Sequence, residues 1–291
     1  MTAEFPRNDT TFSGFSLYMT RGAAYKRRML VDELLHRLAD LGASLRFFSR
    51  LPVPQLCRLD DTGALPSLPR AAAVVPLAGF LIALPAALIG LATAAAGLPE
   101  LLVGLLVVAA LVTPTGALHE DGLADSADGL IGGSTVEKRL LIMKDSRIGT
   151  FAGLALILSS LIRASAYGAL FTHPAVGFFA VLGGGAVSRL AMTALWGALP
   201  NARPDGLAAR LGQPDRRAVA LGAGLTLLLL SPVPSLIGVG PTLIGLVLAG
   251  LAAYAFGSLA HAKIGGQTGD ILGATQVLTE AAFLVGLLIG R

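Results

Sequence analysis

The amino-acid sequence predicts an all-α fold, a polytopic bundle of about seven transmembrane helices with an N-terminal amphipathic helix. The chain is 54% hydrophobic and only 14% charged, whereas a soluble domain carries roughly 25% charged residues. Its mean hydropathy is +0.73, and a soluble protein of 291 residues could not hide that much apolar surface. Apolar stretches long enough to cross a hydrocarbon core of about 30 Å recur along most of the chain.

Seven apolar stretches are the predicted spans. They lie near residues 71–97, 101–118, 151–171, 175–199, 218–237, 242–260 and 271–290. A stripe of apolar residues at helical spacing precedes them and comprises Leu34, Leu38, Leu41, Leu45 and Phe48. This stripe predicts an amphipathic helix over residues 31–50 that lies on the membrane rather than crossing it.

The chain before residue 31 has a different character. Residues 1–30 are polar and then basic, without the apolar region of a signal peptide. We predict a disordered extension over residues 1–30 and a single membrane-embedded catalytic domain over 31–291. Cys57 is the single cysteine, which excludes an internal disulfide and a Cys-rich zinc or iron–sulfur site.

The basic residues predict the orientation in the membrane. Ten of the 22 Lys and Arg residues precede the first span. Nine others lie in alternate connections, at Lys138, Arg139, Lys144, Arg147, Arg203, Arg210, Arg216, Arg217 and Lys263. By the positive-inside rule, the N-terminus and the polar loops face the cytoplasm, which predicts a multi-pass protein of the cell inner membrane. The basic run Lys26–Arg28 is expected to meet anionic lipid rather than nucleic acid.

The first polar loop, residues 119–150, holds the predicted catalytic centre. Its candidate catalytic residues are His119, Asp121, Asp125, Asp128 and Asp145. If residues 121–128 are helical, the first three aspartates share one face. Three carboxylates on one face repel one another unless a cation neutralises them, and hard oxygen ligands favour Mg²⁺.

We therefore predict that Asp121, Asp125 and Asp128 bind Mg²⁺. The alternative is a solvated acidic turn between two spans. Gly122 and Gly129 each follow an aspartate, and we expect them to let a ligand approach the backbone and its free amides.

Two further polar segments are predicted to bind substrate. Lys144 and Arg147 suit phosphate, since Arg can bind two oxygens at once; the alternative is ordinary flanking charge. Asp145 could then be a fourth metal ligand or could orient Arg147.

The last polar loop ends in Gly265-Gly-Gln-Thr-Gly-Asp270 and enters a helix. The side chains of Gln267, Thr268 and Asp270, together with the free amides of a helix N-terminus, suit phosphate or sugar. The alternative is a tight turn with Asp270 as the helix cap.

Three charged residues lie inside predicted spans, namely Arg163, Arg189 and Glu280. Charged side chains in lipid are costly and usually face a cavity or a partner. Either arginine could reach a pyrophosphate, and we place Arg189 among the substrate-binding residues; alternatively, one arginine pairs with Glu280.

These motifs together resemble the cobalamin synthase family, adenosylcobinamide-GDP ribazoletransferase. The matching segments, in the family's order, are Ser49-Arg-Leu-Pro-Val-Pro54, His119 with Asp121-Gly-Leu-Ala-Asp-Ser-Ala-Asp-Gly129, Ile142-Met-Lys-Asp-Ser-Arg-Ile-Gly149, Ser188-Arg189, and Gly265-Gly-Gln-Thr-Gly-Asp270 with Leu272-Gly-Ala. The resemblance covers roughly residues 31–291. One departure is Glu120, where the family usually has an apolar residue; on a helix it would point away from Asp121, so we leave it outside the site as an extra acid that could alter metal affinity.

The resemblance implies a Mg²⁺-dependent transferase of vitamin B12 biosynthesis. Such an enzyme joins adenosylcobinamide-GDP to α-ribazole, or to its 5′-phosphate, and releases GMP. A ribose hydroxyl attacks the phosphorus next to the cobinamide linkage, and His119 or an unliganded aspartate could take its proton. A second copy of the chain and other cobalamin-assembly enzymes are further candidate partners.

The sequence is also compatible with two other functions. A CDP-alcohol phosphotransferase also uses aspartate-bound metals, and it would turn over a CDP-linked lipid. A cation transporter would place acids in mid-span on several helices, whereas here they cluster at span ends and only Glu280 is deep.

Overall fold

The structure, a computed structural model, describes residues 10–290, with side chains from residue 28 onward. The described residues form helices and connecting loops without a strand. The helices are α1 Thr10–Phe48, α2 Leu68–Ala71, α3 Val75–Ala95, α4 Glu100–Thr115, α5 Leu118–Gly132, α6 Val136–Ile142, α7 Thr150–Phe171, α8 Pro174–Ala198, α9 Leu207–Arg210, α10 Arg216–Leu229, α11 Pro232–Ile237, α12 Val239–Ile264 and α13 Gly269–Leu288.

Six of the seven predicted spans correspond to membrane-length helices, and the span predicted at 101–118 does not form one by itself. Across the described residues, six helical segments are long and apolar enough to cross a membrane: α3, α7, α8, α10 continued by α11, α12 and α13. Helices α4 and α5 form a pair bent by 94°, which gives a seventh span if the pair is counted as one. The predicted all-α polytopic bundle is therefore confirmed. The span predicted at 218–237 is interrupted before Pro232, since proline favours the first turn of a new helix.

Helix α13 is the centre of the bundle. Of its most apolar stretch, 78% is buried, against 22% for α12. It packs against α5, α7, α8 and α12, while α3 packs on α8 and α4 on α7. The N-terminus of α13 therefore lies beside α5, which carries the predicted catalytic residues.

The N-terminal helix is longer than expected. Helix α1 begins at Thr10, whereas the sequence predicted disorder over residues 1–30; residues 1–9 lie outside the described part. Residues 10–48 contain no proline, so nothing in the backbone stops a helix once it has started. Of the predicted apolar stripe, Leu41, Leu45 and Phe48 are buried and Leu34 is exposed.

The sharp break between α4 and α5 positions the site. Gly116 and Ala117 are both left-handed, with φ of 62° and 59°, a conformation that ends a helix and that costs alanine about 1 kcal/mol. The backbone N–H of Arg50 donates to the carbonyl of Pro114 at 2.7 Å and so ties the chain after α1 to this break. The change of direction carries α5 across the bundle.

Three polar connections meet on one face of the bundle. Arg203, after α8, donates to the carbonyl of Leu140 at 2.8 Å and to the carboxylate of Asp270 at 3.2 Å. Arg139 donates to the carbonyl of Lys263 at 3.0 Å. These are the loops that the charge pattern predicts on one side of the membrane.

Candidate active site

The predicted aspartates lie on a helix and line one cleft. Helix α5 spans Leu118–Gly132, so the condition under which residues 121–128 share one face is met. The cleft beside it, the acidic cleft, has a volume of about 390 Å³, and its polar lining includes Glu120, Asp121, Asp125, Asp128, Lys144, Asp145 and Arg147. The structure therefore brings together the acids and the basic residues that the sequence assigns to metal and phosphate.

Asp128 has a structural role in this cleft. Its carboxylate accepts hydrogen bonds from the backbone N–H groups of Gly149, at 2.6 Å, and Ala152, at 3.0 Å. It thus caps the N-terminus of α7, where unpaired amides need acceptors. Each carboxylate oxygen still has a lone pair, so metal binding by Asp128 stays a prediction.

The described residues contain no group of three or more His, Cys, Asp or Glu side chains placed to hold a metal ion. Mg²⁺, however, is usually held by one or two carboxylates together with water and substrate phosphates. Asp121 and Asp125 lie one turn apart on α5 and fit such a site. The negative charges of Asp121 and Asp270 act on Asp125, and a cation would relieve this repulsion.

The basic side of the cleft contains an exposed ion pair. The guanidinium of Arg147 lies 2.5 Å from a carboxylate oxygen of Asp145. Hydrogen bonds from Arg147 lower the pKa of the Asp145 carboxyl to about 2. This ion pair allows Asp145 to orient Arg147, whose guanidinium is exposed; metal binding by Asp145 stays a prediction.

The prediction that the glycines of α5 open the backbone to a ligand is wrong. A Cβ at Gly122 would lie 2.7 Å from the carbonyl oxygen of Asp270, and one at Gly129 would meet the side chain of Met143. Both glycines therefore permit close packing inside the protein. At Gly122, that packing places Asp121 beside the start of α13.

The last polar loop forms the predicted helix N-terminus, with a different cap. The hydroxyl of Thr268 accepts from the N–H of Ile271 at 3.3 Å, so Thr268 rather than Asp270 is the cap. Asp270 instead accepts from Arg203 and from Thr268, each at 3.2 Å. Gln267 joins this loop to the chain after α8, since its N–H donates to the carbonyl of Pro200 at 2.8 Å.

A second cavity, the aromatic cavity, lies on the other side of Asp121. Its volume is about 240 Å³. Its polar residues include His119, Asp121, Arg203, Gln267, Thr268 and Asp270, and its apolar wall includes Phe47, Phe48, Met192, Trp196 and Leu211. Asp121, which is exposed, lines both this cavity and the acidic cleft, so the two spaces adjoin at this carboxylate.

Sequence reasoning missed the aromatic wall and Arg203. Phe47 and Phe48 end the amphipathic helix, and Trp196 lies within a predicted span, so each resembles an ordinary apolar residue. Arg203 was used only as one of the basic loop residues that predict the orientation in the membrane. A signal was available for Trp196, because it is the only tryptophan in the chain and its indole N–H needs a partner when buried.

The intramembrane charges form a network behind the site. Arg163 lies 3.0 Å from Glu120 and 3.9 Å from Glu280. Glu280 also accepts from the hydroxyl of Tyr167 at 2.7 Å. The pairing of an intramembrane arginine with Glu280 is thus confirmed. Glu120 was expected outside the site, but it lines the acidic cleft and also pairs with Arg163.

His119 and Arg189 border this network. Both line a small polar cavity shared with Glu120, Arg163 and Glu280. Arg189 is buried and, among the described residues, forms no ion pair; its guanidinium lies 3.4 Å from the hydroxyl of Ser188. The role of Arg189 in substrate binding stays a prediction.

Comparisons with known proteins identify the family of this chain. The chain is 46% identical over 258 residues to "Adenosylcobinamide-GDP ribazoletransferase" of Brucella ovis, with 87% of this chain and 97% of the relative covered. The protein of that name from Brucella melitensis biotype 1 is 45% identical over the same coverage. No solved structure matches the chain. The model of the family described as "Cobalamin-5-phosphate synthase" matches residues 40–288, and the chain therefore belongs to this family.

Proposed function

We propose that the chain joins adenosylcobinamide-GDP to α-ribazole, or to its 5′-phosphate, and releases GMP at the junction of the acidic cleft and the aromatic cavity. The observation that carries this proposal is the position of Asp121, which lines both spaces. A transferase must bring two substrates together at one phosphorus atom, and two adjoining spaces that share a carboxylate provide for this.

The acidic cleft suits the diphosphate of adenosylcobinamide-GDP. Lys144 and Arg147 line it together with the aspartates of α5, and the guanidinium of Arg147 can contact two phosphate oxygens. We propose that Asp121, Asp125 and Asp128 hold Mg²⁺ here. When bound, Mg²⁺ would neutralise the negative charge that develops on the diphosphate.

We propose that His119 accepts the proton of the attacking hydroxyl. It is buried, and neither ring nitrogen has a hydrogen-bond partner among the described residues. In the proposed step, the oxygen of a ribose hydroxyl bonds to the phosphorus next to cobinamide, the bond from that phosphorus to the GMP oxygen breaks, and the hydroxyl proton moves to His119.

The location in the cell is part of the proposal. The polar loops that carry the site are those with the positive-inside charge, so we place the site at the cytoplasmic surface of the inner membrane. Soluble nucleotide substrates would reach it there.

The function is tested with membranes that contain the chain, incubated with adenosylcobinamide-GDP, α-ribazole and Mg²⁺. We expect GMP and a corrinoid of cobalamin mass in equal amounts. Adding EDTA should abolish both products, and Mg²⁺ should restore them. Turnover of a CDP-linked lipid in place of adenosylcobinamide-GDP would contradict the proposal, and full activity in EDTA would contradict the metal.

The Arg147→Ala variant tests the phosphate contact. We expect the KM for adenosylcobinamide-GDP to rise about tenfold with little change in the KM for α-ribazole, because one charge-assisted contact is lost. The side chain of Arg147 is 87% exposed, so the amount of folded protein in membranes should not change. Less folded protein with an unchanged KM would show that Arg147 is structural.

A further inference from the structure

The aromatic cavity contains more unpaired hydrogen-bonding groups than a packed core tolerates. The indole N–H of Trp196, the side-chain oxygen of Gln267 and both ring nitrogens of His119 are buried without a partner among the described residues. Trp196, Gln267 and His119 are exposed by only 3%, 1% and 2% of their surfaces. Because buried polar groups are nearly always paired, three such side chains around one cavity indicate a ligand that pairs with them.

The remaining wall determines the kind of ligand. Phe47, Phe48 and Trp196 contribute aromatic surface, and Met192 and Leu211 contribute aliphatic surface. Such a wall favours a flat apolar ring, which stacks on aromatic side chains. The lining also includes the carboxylates of Asp121 and Asp270, which can accept hydrogen bonds from the hydroxyls of a sugar.

We propose that the aromatic cavity binds α-ribazole, with the benzimidazole ring against the aromatic wall and the ribose toward His119, Gln267 and Asp121. This inference rests on the proposed function. The other nucleoside of the reaction, guanosine, fits less well. The guanine edge carries N–H donors that would lose their hydrogen bonds against Phe47, Phe48 and Met192, whereas the benzimidazole of a riboside has no donor and a single ring-nitrogen acceptor.

With α-ribazole in the aromatic cavity, its ribose would face the diphosphate. The ribose hydroxyl would lie between the benzimidazole ring in the aromatic cavity and the diphosphate in the acidic cleft. His119 and Asp121 lie two positions apart on α5 and both line the aromatic cavity, so one short segment of the wall would supply the proton acceptor and the carboxylate that both spaces share.

The single tryptophan allows a test that does not depend on turnover. Trp196 is the only tryptophan, so emission excited at the red edge of indole absorption reports on this cavity alone. We expect α-ribazole, added to the purified full-length protein without adenosylcobinamide-GDP, to change this emission saturably. GMP at the same concentration should leave it unchanged.

A pair of matched variants tests the wall. Phe47→Leu should raise the half-saturating concentration of α-ribazole about tenfold in both fluorescence and turnover, since stacking of a base on one aromatic ring is lost. It should leave the KM for adenosylcobinamide-GDP unchanged. Phe151→Leu, on a phenylalanine outside the cavity that is 42% exposed, should change neither quantity.

Several outcomes would overturn the assignment. One is normal turnover without any change of Trp196 emission at saturating α-ribazole. Another is a response to GMP rather than to α-ribazole, or a Phe47→Leu effect confined to adenosylcobinamide-GDP. If turnover is absent but α-ribazole still changes the emission, the proposed function fails and the cavity assignment stands. If both are absent, both fail.

Discussion

Asp121→Asn is expected to lower the rate of GMP release by about 10²- to 10³-fold, the loss typical when one group that stabilises transition-state charge is removed. Asp121 is exposed and lines both the acidic cleft and the aromatic cavity. Its amide replacement keeps the shape but loses the charge that would hold Mg²⁺. The initial rate in membranes, measured over a range of Mg²⁺ concentrations, should show a lower maximum rate and a higher requirement for Mg²⁺.

Asp128→Asn, on the same face of α5, should show a second effect besides the loss of a proposed metal ligand. Asp128 accepts two backbone hydrogen bonds at the start of α7, so its replacement should also lower the free energy of unfolding by about 1 kcal/mol through the weakened cap. An unchanged Mg²⁺ requirement with lower stability would restrict Asp128 to the structural role. The metal assignment fails if Asp121→Asn, Asp125→Asn and Asp128→Asn all keep the wild-type rate and Mg²⁺ dependence.

Features that depend on composition, or on the helical spacing of residues within one segment, could be predicted from the sequence. The spans follow from apolar length. The shared face of Asp121, Asp125 and Asp128 follows from their spacing once the segment is helical, because a helix repeats every 3.6 residues. The start of α13 follows from a polar, glycine-rich run ahead of an apolar one. Each of these signals lies within a single segment of the chain.

Features that depend on two distant segments were not predictable in this way. The pairing of Glu120, a residue of the cleft lining, with a cation inside the bundle depends on Arg163, which lies 43 positions later on another helix. The aromatic cavity combines the end of α1 with α8 and the loop before α13, and nothing in any one of these segments marks its residues as neighbours. Gly122 also looked like a ligand contact, because its packing partner, the backbone of Asp270, belongs to α13.

The second large effect is expected on stability, from the buried ion pairs of Arg163 with Glu120 and Glu280. Arg163→Met is expected to lower the free energy of unfolding by about 3–5 kcal/mol, the usual result of removing one partner of a buried ion pair. Arg163 is 1% exposed and is the cation nearest to both Glu120 and Glu280. Without it, two carboxylates would remain inside the bundle with less compensation than before. Thermal unfolding of the purified protein in detergent, together with the yield of monodisperse protein, measures the loss.

Two controls separate charge from shape in this network. Arg147→Ala removes an exposed ion pair, which is worth about 0–1 kcal/mol, so its unfolding temperature should stay near that of the wild type. A triple variant, Arg163→Met with Glu120→Gln and Glu280→Gln, removes all three charges and should recover most of the stability, because neutral groups no longer need a counterion. If Arg163→Met alone unfolds like the wild type, the network does not stabilise the bundle, and Arg163 and Arg189 become candidates for direct contact with the diphosphate.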